Sequence, residues 1–526
     1  MKEERHELLD AKISYHDSRR IETKLDVELT AEVKNTYRVE TYFFVPRALN
    51  INPSTYGKTS FYNSIQTHIR FKTPQMSLDK IANPEAEVSP LRRIKQLFAA
   101  MLGGDNSAQT VNAAVDELKL LGCVSRAAVR DTVKLLMEQA DAMRRSGARG
   151  ARLDSLRERG ALLVSNLHKL IDEVHAMRIS ITDPACPPRV RDTFAFVDEF
   201  FSITISDYLS LLLENLRQDH ALASDLAALD SQICGLIAGQ SEYRASMGYL
   251  SVLAKDKPNQ AYIYRRGVLK KFVFTALYLQ IETTEWEGWL QFLFGMAAGI
   301  AMLFAALVMV FAQNRYATNS MQFVIILVVS YIFKDRIKDW FKIWFSKNWT
   351  QWMADRKTNI LDPRTGHKIG YFKEAFSFVP ENGVPEEIRR RRNKDNITSV
   401  DEEGKPERIM RYEKEVVLFP ARVAKSHERR KDLNDIFRFS VSPFLQQADD
   451  PGVECLYLDS HANKLEPLVC SKLYHVNVVF KYISRNLAGV RHPFFFSFIV
   501  YLPSHRARNR NRNRNRNRHR NRDRIR

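Results

Sequence analysis

Two uncharged apolar runs set the terms on which this chain can fold. Residues 289–311 (WLQFLFGMAAGIAMLFAALVMVF) carry no charge over 23 positions. As a helix they reach roughly 35 Å, against a hydrocarbon core of about 30 Å, so they can cross a bilayer with some tilt. The second run, 317–333, has 17 residues and reaches roughly 25 Å, the lower limit for crossing. It reads as a second span, with a re-entrant or interfacial segment as the alternative. Between the runs, 312–316 holds the single basic residue Arg315, whereas Arg265, Arg266, Lys270 and Lys271 precede the pair and Lys334, Arg336, Lys338, Lys342 and Lys347 follow it. An excess of Lys and Arg in short flanking segments marks the cytoplasmic side. The expectation is a two-helix transmembrane hairpin (286–333) in the inner membrane, both termini cytoplasmic, with these basic residues at the lipid headgroups.

All six tryptophans, Trp286, Trp289, Trp340, Trp344, Trp349 and Trp352, fall in or beside this region. An indole is apolar with one N–H to satisfy, so such clustering fits a membrane-interface belt. Within 334–353, Ile337, Trp340, Phe341, Trp344 and Phe345 share one helical face and Asp335, Lys338, Asp339 and Lys342 the other. This segment reads as a separate amphipathic helix lying on the inner leaflet, or alternatively packed on a soluble domain. The first run contains Gly295 and Gly299 as GxxxG, with Ala297, Ala301 and Ala305 also four apart. Small residues let backbones approach closely, so this helix should pack on its hairpin partner or on a second protomer. Neither run contains an ionisable residue, which argues for an anchor rather than a conduit.

The remaining sequence divides by its periodicity. Alternation at Leu25, Val27, Leu29 and at Tyr37, Val39, Thr41, Phe43, Val45, with a third run at 61–71, predicts a small antiparallel sheet within 1–89 that must lean on another part of the chain. From 90 to 253 the period becomes three to four. One stripe is Val129, Val133, Leu136, Ala140 and Met143, a second runs Leu153, Leu156, Gly160, Leu163, Leu167, Leu170, Val174, Met177, and a third starts at Leu222. A helical bundle or coiled coil follows, closed within one chain or used for self-association. Residues 254–285 read as a basic connector. Residues 354–503 return to strand character around 369–379, 415–419, 436–441, 454–458 and 474–483, with 386–406 as a polar loop and 493–502 (PFFFSFIVYL) as a buried strand or an aggregation hazard. The class is therefore α+β and membrane-anchored.

Charge and cysteine usage narrow the function. Of the net +19, residues 506–526 supply +10 through eleven Arg and one Asp, leaving +9 for the rest. That Arg-Asn repeat, within the segment 504–526, cannot bury apolar surface and should be disordered. Through charge it could hold RNA or anionic lipid, but repeat expansion explains it as well. The cysteines at 123, 186, 234, 455 and 470 form no CxxC pair, which fits a reducing compartment. The N-terminal twenty residues are too charged for a signal peptide, so targeting is expected from the hairpin.

Phosphate-cradling loops, HExxH, GxSxG and Gly-rich dinucleotide turns do not occur, so no cofactor is expected. The one ligand-like spacing is His168, Asp172, His175, on one face of a helix but on the polar flank of the leucine stripe, where solvated residues belong. The resulting expectation is a membrane-anchored scaffold or sensor that binds membrane lipids and a protein partner, possessing no catalytic motif. An enzyme using dispersed residues such as His367, His427, His461 and His475, and electrostatic binding of nucleic acid, are the alternatives.

Overall fold

A computed structural model describes residues 12–17, 19–29, 34–146, 150–256, 258–285, 287–317, 320–348, 354–395, 407–426, 432–448, 452–459, 464–471, 473–486, 489–490 and 493–503. Trp286, Trp349, Trp352, His427, His461, the segment 396–406 and the Arg-Asn tail lie outside them. The architecture is mixed α+β with antiparallel strands, and it separates into two units, 71–278 and the remainder (1–70 with 279–526).

The discontinuous unit is rich in strands. Its first part supplies β1 (Lys12–Asp17), β2 (Arg20–Val27), β3 (Asn35–Pro46), the helix α1 (Lys58–Ser64) and β4 (Ile65–Phe71). The expected strand over 61–71 is thus corrected: its first residues are helical. A bond from the Phe61 amide to the Gly57 carbonyl starts the turn, and it drops Phe61 into the core, stacked 4.0 Å from Phe376.

The helical unit, 71–278, begins with α2 (Leu78–Ala82), α3 (Pro90–Leu102), α4 (Ala108–Ser146) and α5 (Ala151–Ile181). It continues through α6 (Pro188–Arg217), α7 (His220–Asp225), α8 (Ala227–Ser246) and α9 (Gln260–Phe274). Pro188 stands at the first position of α6, where its missing N–H costs nothing, and the Asp219 carboxylate caps α7 by accepting from Ala221 and Leu222. The predicted leucine stripe of α5 is buried inside this unit, from Leu153 through Met177. Gly160 is its point of closest approach: a Cβ there would lie 2.4 Å from the Leu229 Cδ2 of α8. The segment read as a connector contains α9, which packs on α4 and α6.

The second part of the strand-rich unit opens with β5 (Gln280–Glu285), then two long helices, α10 (Glu287–Arg315) and α11 (Met321–Asn348). After them come β6 (Arg356–Leu361), β7 (Lys368–Val379), α12 (Glu386–Arg392) and β8 (Glu407–Leu418). Next are α13 (Pro420–Ser426), β9 (Leu433–Ser440), α14 (Ser442–Gln446), β10 (Gly452–Asp459) and β11 (Lys464–Ser471). The last strands are β12 (Leu473–Asn486), β13 (Gly489–Val490) and β14 (Phe494–Pro503). Two sequence readings change here. The loop expected over 386–406 begins as the helix α12. The segment from Lys334 is not a separate helix but the second half of α11, because neither Gly nor Pro interrupts 321–348.

N-terminal and C-terminal strands interleave. One sheet runs β1-β2-β9-β4; another runs β13-β12-β3-β8-β7-β6-β5, with β14 added on β12. Thus β3 is paired along its length with β8 and with β12 on its other side. Phe43, Phe61, Phe376, Tyr412, Phe439 and Phe444 fill the core of this unit.

Candidate membrane interface

The two long helices are framed by paired strands. Strand β5 leads into α10, β6 follows α11, and the two strands are antiparallel neighbours from Gln280↔Leu361 to Glu285↔Arg356. The excursion from 287 to 348 therefore leaves the sheet and returns to the residue opposite its starting point. Whatever the helices enter, they enter and leave it from the same side.

Of the two, only α10 is long and apolar enough to cross a membrane among the described residues, over Phe294–Arg315, and only 11% of its most apolar stretch is buried. The core helix of a water-soluble protein would hide this surface; here Met302, Leu303, Leu307, Val310 and Phe311 are all more than half exposed. The face turned to α11 carries Ala297, Ala301 and Ala312, all buried, and Phe341 packs on Ala297. Gly295 and Gly299 are elsewhere: a Cβ on either would meet nothing within 4 Å among the described residues. The intrachain seam is thus made by the alanines of the small-residue pattern and not by GxxxG.

The seam also fixes the register. Phe341 lies on Ala297, and the Lys342 ammonium sits 5.7 Å from the Phe294 ring, so the helices are antiparallel with 341 level with 297. The charged stretch of α11, Lys334 to Lys342, consequently runs beside the middle of the α10 apolar run. The uncharged part of α11 that remains, 321–333, spans roughly 20 Å. Trp340 and Trp344 are at least half exposed on this charged half. The side chain of Trp289 is not among those described. Lys334 lies 4.0 Å from the Tyr331 ring, and Arg336 is exposed while Lys338 is half-buried.

The basic residues ahead of the hairpin have different company. On α9, the Arg265 guanidinium is held by Glu199 of α6 at 2.7 Å, and Arg266 meets Asp207 at 3.1 Å. Both charges are paired with carboxylates of the bundle, Arg265 half-buried and Arg266 exposed. Lys270 and Lys271 are exposed on the same helix.

Chemistry-bearing side chains gather in two buried clusters. In the strand-rich unit, Lys414 and Asp435 form an ion pair at 2.6 Å, both buried, and the Tyr37 hydroxyl donates to the other Asp435 oxygen at 2.9 Å. Beside them Tyr412 donates to Glu374. Burial, reinforced by Asp435, pushes the Tyr37 pKa well above the ordinary phenol value. Burial raises Glu374, and the Lys414 charge partly offsets it. A cavity of about 30 Å³ adjoins the cluster, lined by Thr41, Tyr412, Lys414, Asp435, Phe480 and Phe496. It has room for a water or two, not for a substrate.

In the helical unit, one oxygen of the buried Asp198 accepts from Arg178 at 2.6 Å and from the Tyr243 and Tyr249 hydroxyls at 2.7 Å each. Arg244, also buried, donates to the Ser202 and Ser206 hydroxyls and to the Ser251 carbonyl. His175 stacks on Tyr243 with centroids 4.2 Å apart, and burial lowers its pKa. His168 and Asp172 stay exposed, and among the described residues no three His, Cys, Asp or Glu side chains gather as metal ligands. On the sheet, His475 lies near the Glu407 end of β8 while His367 precedes β7 at the Leu418 end, so these two do not form one site. The sequence signal for the missed cluster was Asp198-Glu199 set inside the apolar stretch 194–205.

Neither a scan against family models nor searches of curated proteins and of solved structures finds a match to this chain.

Proposed function

We propose that the chain is a membrane-anchored scaffold or sensor, held in the inner membrane by the α10–α11 hairpin with both flanks on the cytoplasmic side, and that it acts by binding a protein partner. The observation that carries the anchor is a long apolar helix left exposed between two hydrogen-bonded strands. The scaffold reading draws on the ionic clusters, whose charges are satisfied by one another beside a cavity of water size. An arrangement of this kind specifies a fold more readily than it turns over a substrate.

The β5–β6 pairing makes the anchor testable without dismantling the rest. Replacing 286–354 by Asn-Gly joins Glu285 to Asp355 through a short turn and keeps the Asp355 carboxylate, which accepts from Lys58, Tyr62 and the Phe376 amide. The full chain should sediment with membranes and resist an alkaline carbonate wash; the shortened chain should be released, with its circular dichroism reduced only by the two lost helices. Extraction of the full chain by carbonate would overturn the anchor.

The helix register favours a second reading of how deep the hairpin goes. With roughly 20 Å of uncharged α11 against about 30 Å of hydrocarbon, the pair can dip into the bilayer by its tip and return without reaching the far side. A cysteine placed at Asn314 separates the two: two full spans expose it to a membrane-impermeant maleimide from the far face, whereas a re-entrant tip does not. Partner binding is tested by in-membrane cross-linking; a chain that remains unlinked to any other protein at every reagent concentration would count against the scaffold.

A further inference from the structure

Strand register fixes which end of the large sheet the hairpin leaves from. Glu285, the last residue of β5, is level with Arg356, Glu374, Lys414 and Val39 on successive strands. On the side of that row where the chain departs for α10, β5 and β6 stop, but β7 continues to Val379 beside β8, which starts at Glu407. Residues 375–379 of β7 reach roughly 17 Å past the exit row. Strand β3, paired with β8 as far as Pro46↔Glu407, reaches roughly 23 Å past it. The stem of the hairpin has a similar length: from Lys334, its first charged residue, to its end at Asn348, α11 rises roughly 21 Å.

The chain that leaves β7 at this overhanging end folds into α12, with the sequence EEIRRRR. Its inner side holds it there. Ile388 packs with Phe44 and Ile409, and the buried Arg392 donates to both Glu407 oxygens, at 3.1 and 2.8 Å, at the first residue of β8. One arginine of the run therefore locks the helix to the overhang, and Arg389, Arg390 and Arg391 are exposed. The carboxylates of α12 are engaged with other cations: Glu386 accepts from Arg390 at 3.1 Å, and Glu387 pairs with Lys481 at 3.6 Å. Arg391 lies over the Phe495 ring at 5.6 Å. Arg47 and Arg408, both exposed, stand at the ends of β3 and β8 on the same side, with Glu381 as an exposed carboxylate before α12. The acidic run Asp401, Glu402, Glu403 lies outside the described residues.

We propose that this overhanging end is a second membrane contact, in which Arg389, Arg391 and Arg408 hold the phosphates of anionic phospholipid headgroups. It rests on the anchor reading above and adds the lipid class. A guanidinium offers a phosphate two parallel N–H donors, which an ammonium cannot. Attraction of basic groups to an anionic leaflet fades within a Debye length, about 10 Å at 0.1 M salt, so the charges must be carried close to the surface. An overhang about as long as the charged stem does that. RNA would meet the same charges; lipid is favoured because the cluster sits at the end of the sheet from which the apolar helix departs. The hairpin sets depth, and the arginines set how the sheet stands against the leaflet.

The test is amide hydrogen exchange of the full chain in nanodiscs of phosphatidylcholine, alone or mixed with phosphatidylglycerol. The anionic lipid should slow exchange in 386–392 by about fivefold for each arginine engaged, and about 1 M salt should abolish the difference. Arg389→Gln with Arg391→Gln should return this segment toward its phosphatidylcholine rate, while Lys at both positions keeps most of the protection. Unchanged peptides from β7 and β8 show that the variants are folded. Equal exchange of 386–392 in the two lipids, with α10 protected in both, overturns the headgroup contact and leaves the anchor standing; free exchange of α10 removes both. Protection in phosphatidylcholine discs on adding inorganic phosphate or an RNA oligonucleotide, with none from phosphatidylglycerol, overturns the lipid assignment.

Discussion

Helices α6 and α10 are nearly equal in length, at 30 and 29 residues, and treat their side chains in opposite ways. In α6 even polar groups are inside: Asp198, Glu199, Ser202, Thr204 and Ser206 are all buried, and Asp198 is satisfied by three donors. In α10 even large apolar groups are outside, with Leu303 and Leu307 each 62% exposed. Burying a polar group costs little only when it finds partners, and a long exposed apolar face marks a surface for a membrane or a protein contact. The contrast teaches that burial in this chain cannot be read from polarity alone; the medium each helix faces has to be inferred first.

The comparison can be broken most forcefully on α10. Leu303→Arg with Leu307→Arg should cost about 6 kcal/mol of apparent insertion free energy in a glycosylation-reporter assay, at about 3 kcal/mol for each Arg near a helix centre. In a helix facing water the same pair would change stability by less than about 1 kcal/mol. Next in size is Asp198→Ala on α6. It strands Arg178 and two tyrosine hydroxyls and should destabilise the helical unit by about 3 kcal/mol, the low end for a broken buried pair because Arg178 is partly exposed. Urea unfolding followed by tyrosine fluorescence reads this directly.

Glycine substitutions sharpen the contrast. Gly160→Ala in α5 drives a methyl against Leu229 and should destabilise by roughly 1–3 kcal/mol, with rescue by Leu229→Ala. Gly295→Ala in α10 meets no neighbour among the described residues and should be neutral or stabilising by up to about 1 kcal/mol in helix content. The smallest effect is a pH dependence. Burial lowers the His175 pKa below its usual 6.5, so the folded bundle binds this proton less readily than the unfolded chain. Its contribution is therefore present above pH 6.5 and lost as pH falls below that value. Denaturation between pH 7.5 and 5 should show this slope, and His175→Gln should flatten it.

What the sequence discloses follows the range of the interaction. Periodicity is local, so the leucines of α5 and the strands near 436–441 and 474–483 are found where alternation and 3-4 spacing place them. The residues 58–64 escape it because Phe61 and Tyr62 look like strand residues until the Gly57 turn is seen. Strand partners are non-local: nothing in Arg20–Val27 names Leu433–Ser440 as its neighbour. The same limit applies to the candidate sites. The apolar length of α10 is visible in one stretch, but the charged half of α11 beside it appears only with the register. Asp198 shows in the sequence only as a charge inside the apolar stretch 194–205, and its partners Arg178, Tyr243 and Tyr249 appear only once the helices come together.

The interleaved sheets also fix an order of events during synthesis. Strand β2 needs β9, and its Val27 pairs with Leu433, some 400 residues later. At about 5–20 residues per second a ribosome takes roughly 20–80 s to supply that partner. Meanwhile the helical unit, residues 71–278, has all of its own sequence available and can fold, and the apolar α10 emerges before any strand that closes the sheet. The N-terminal strands must therefore wait with apolar edges unpaired, and the long excursion is placed before the fold it belongs to is complete. Synthesis rate and chaperone supply then become determinants of yield for this chain, independently of its final stability.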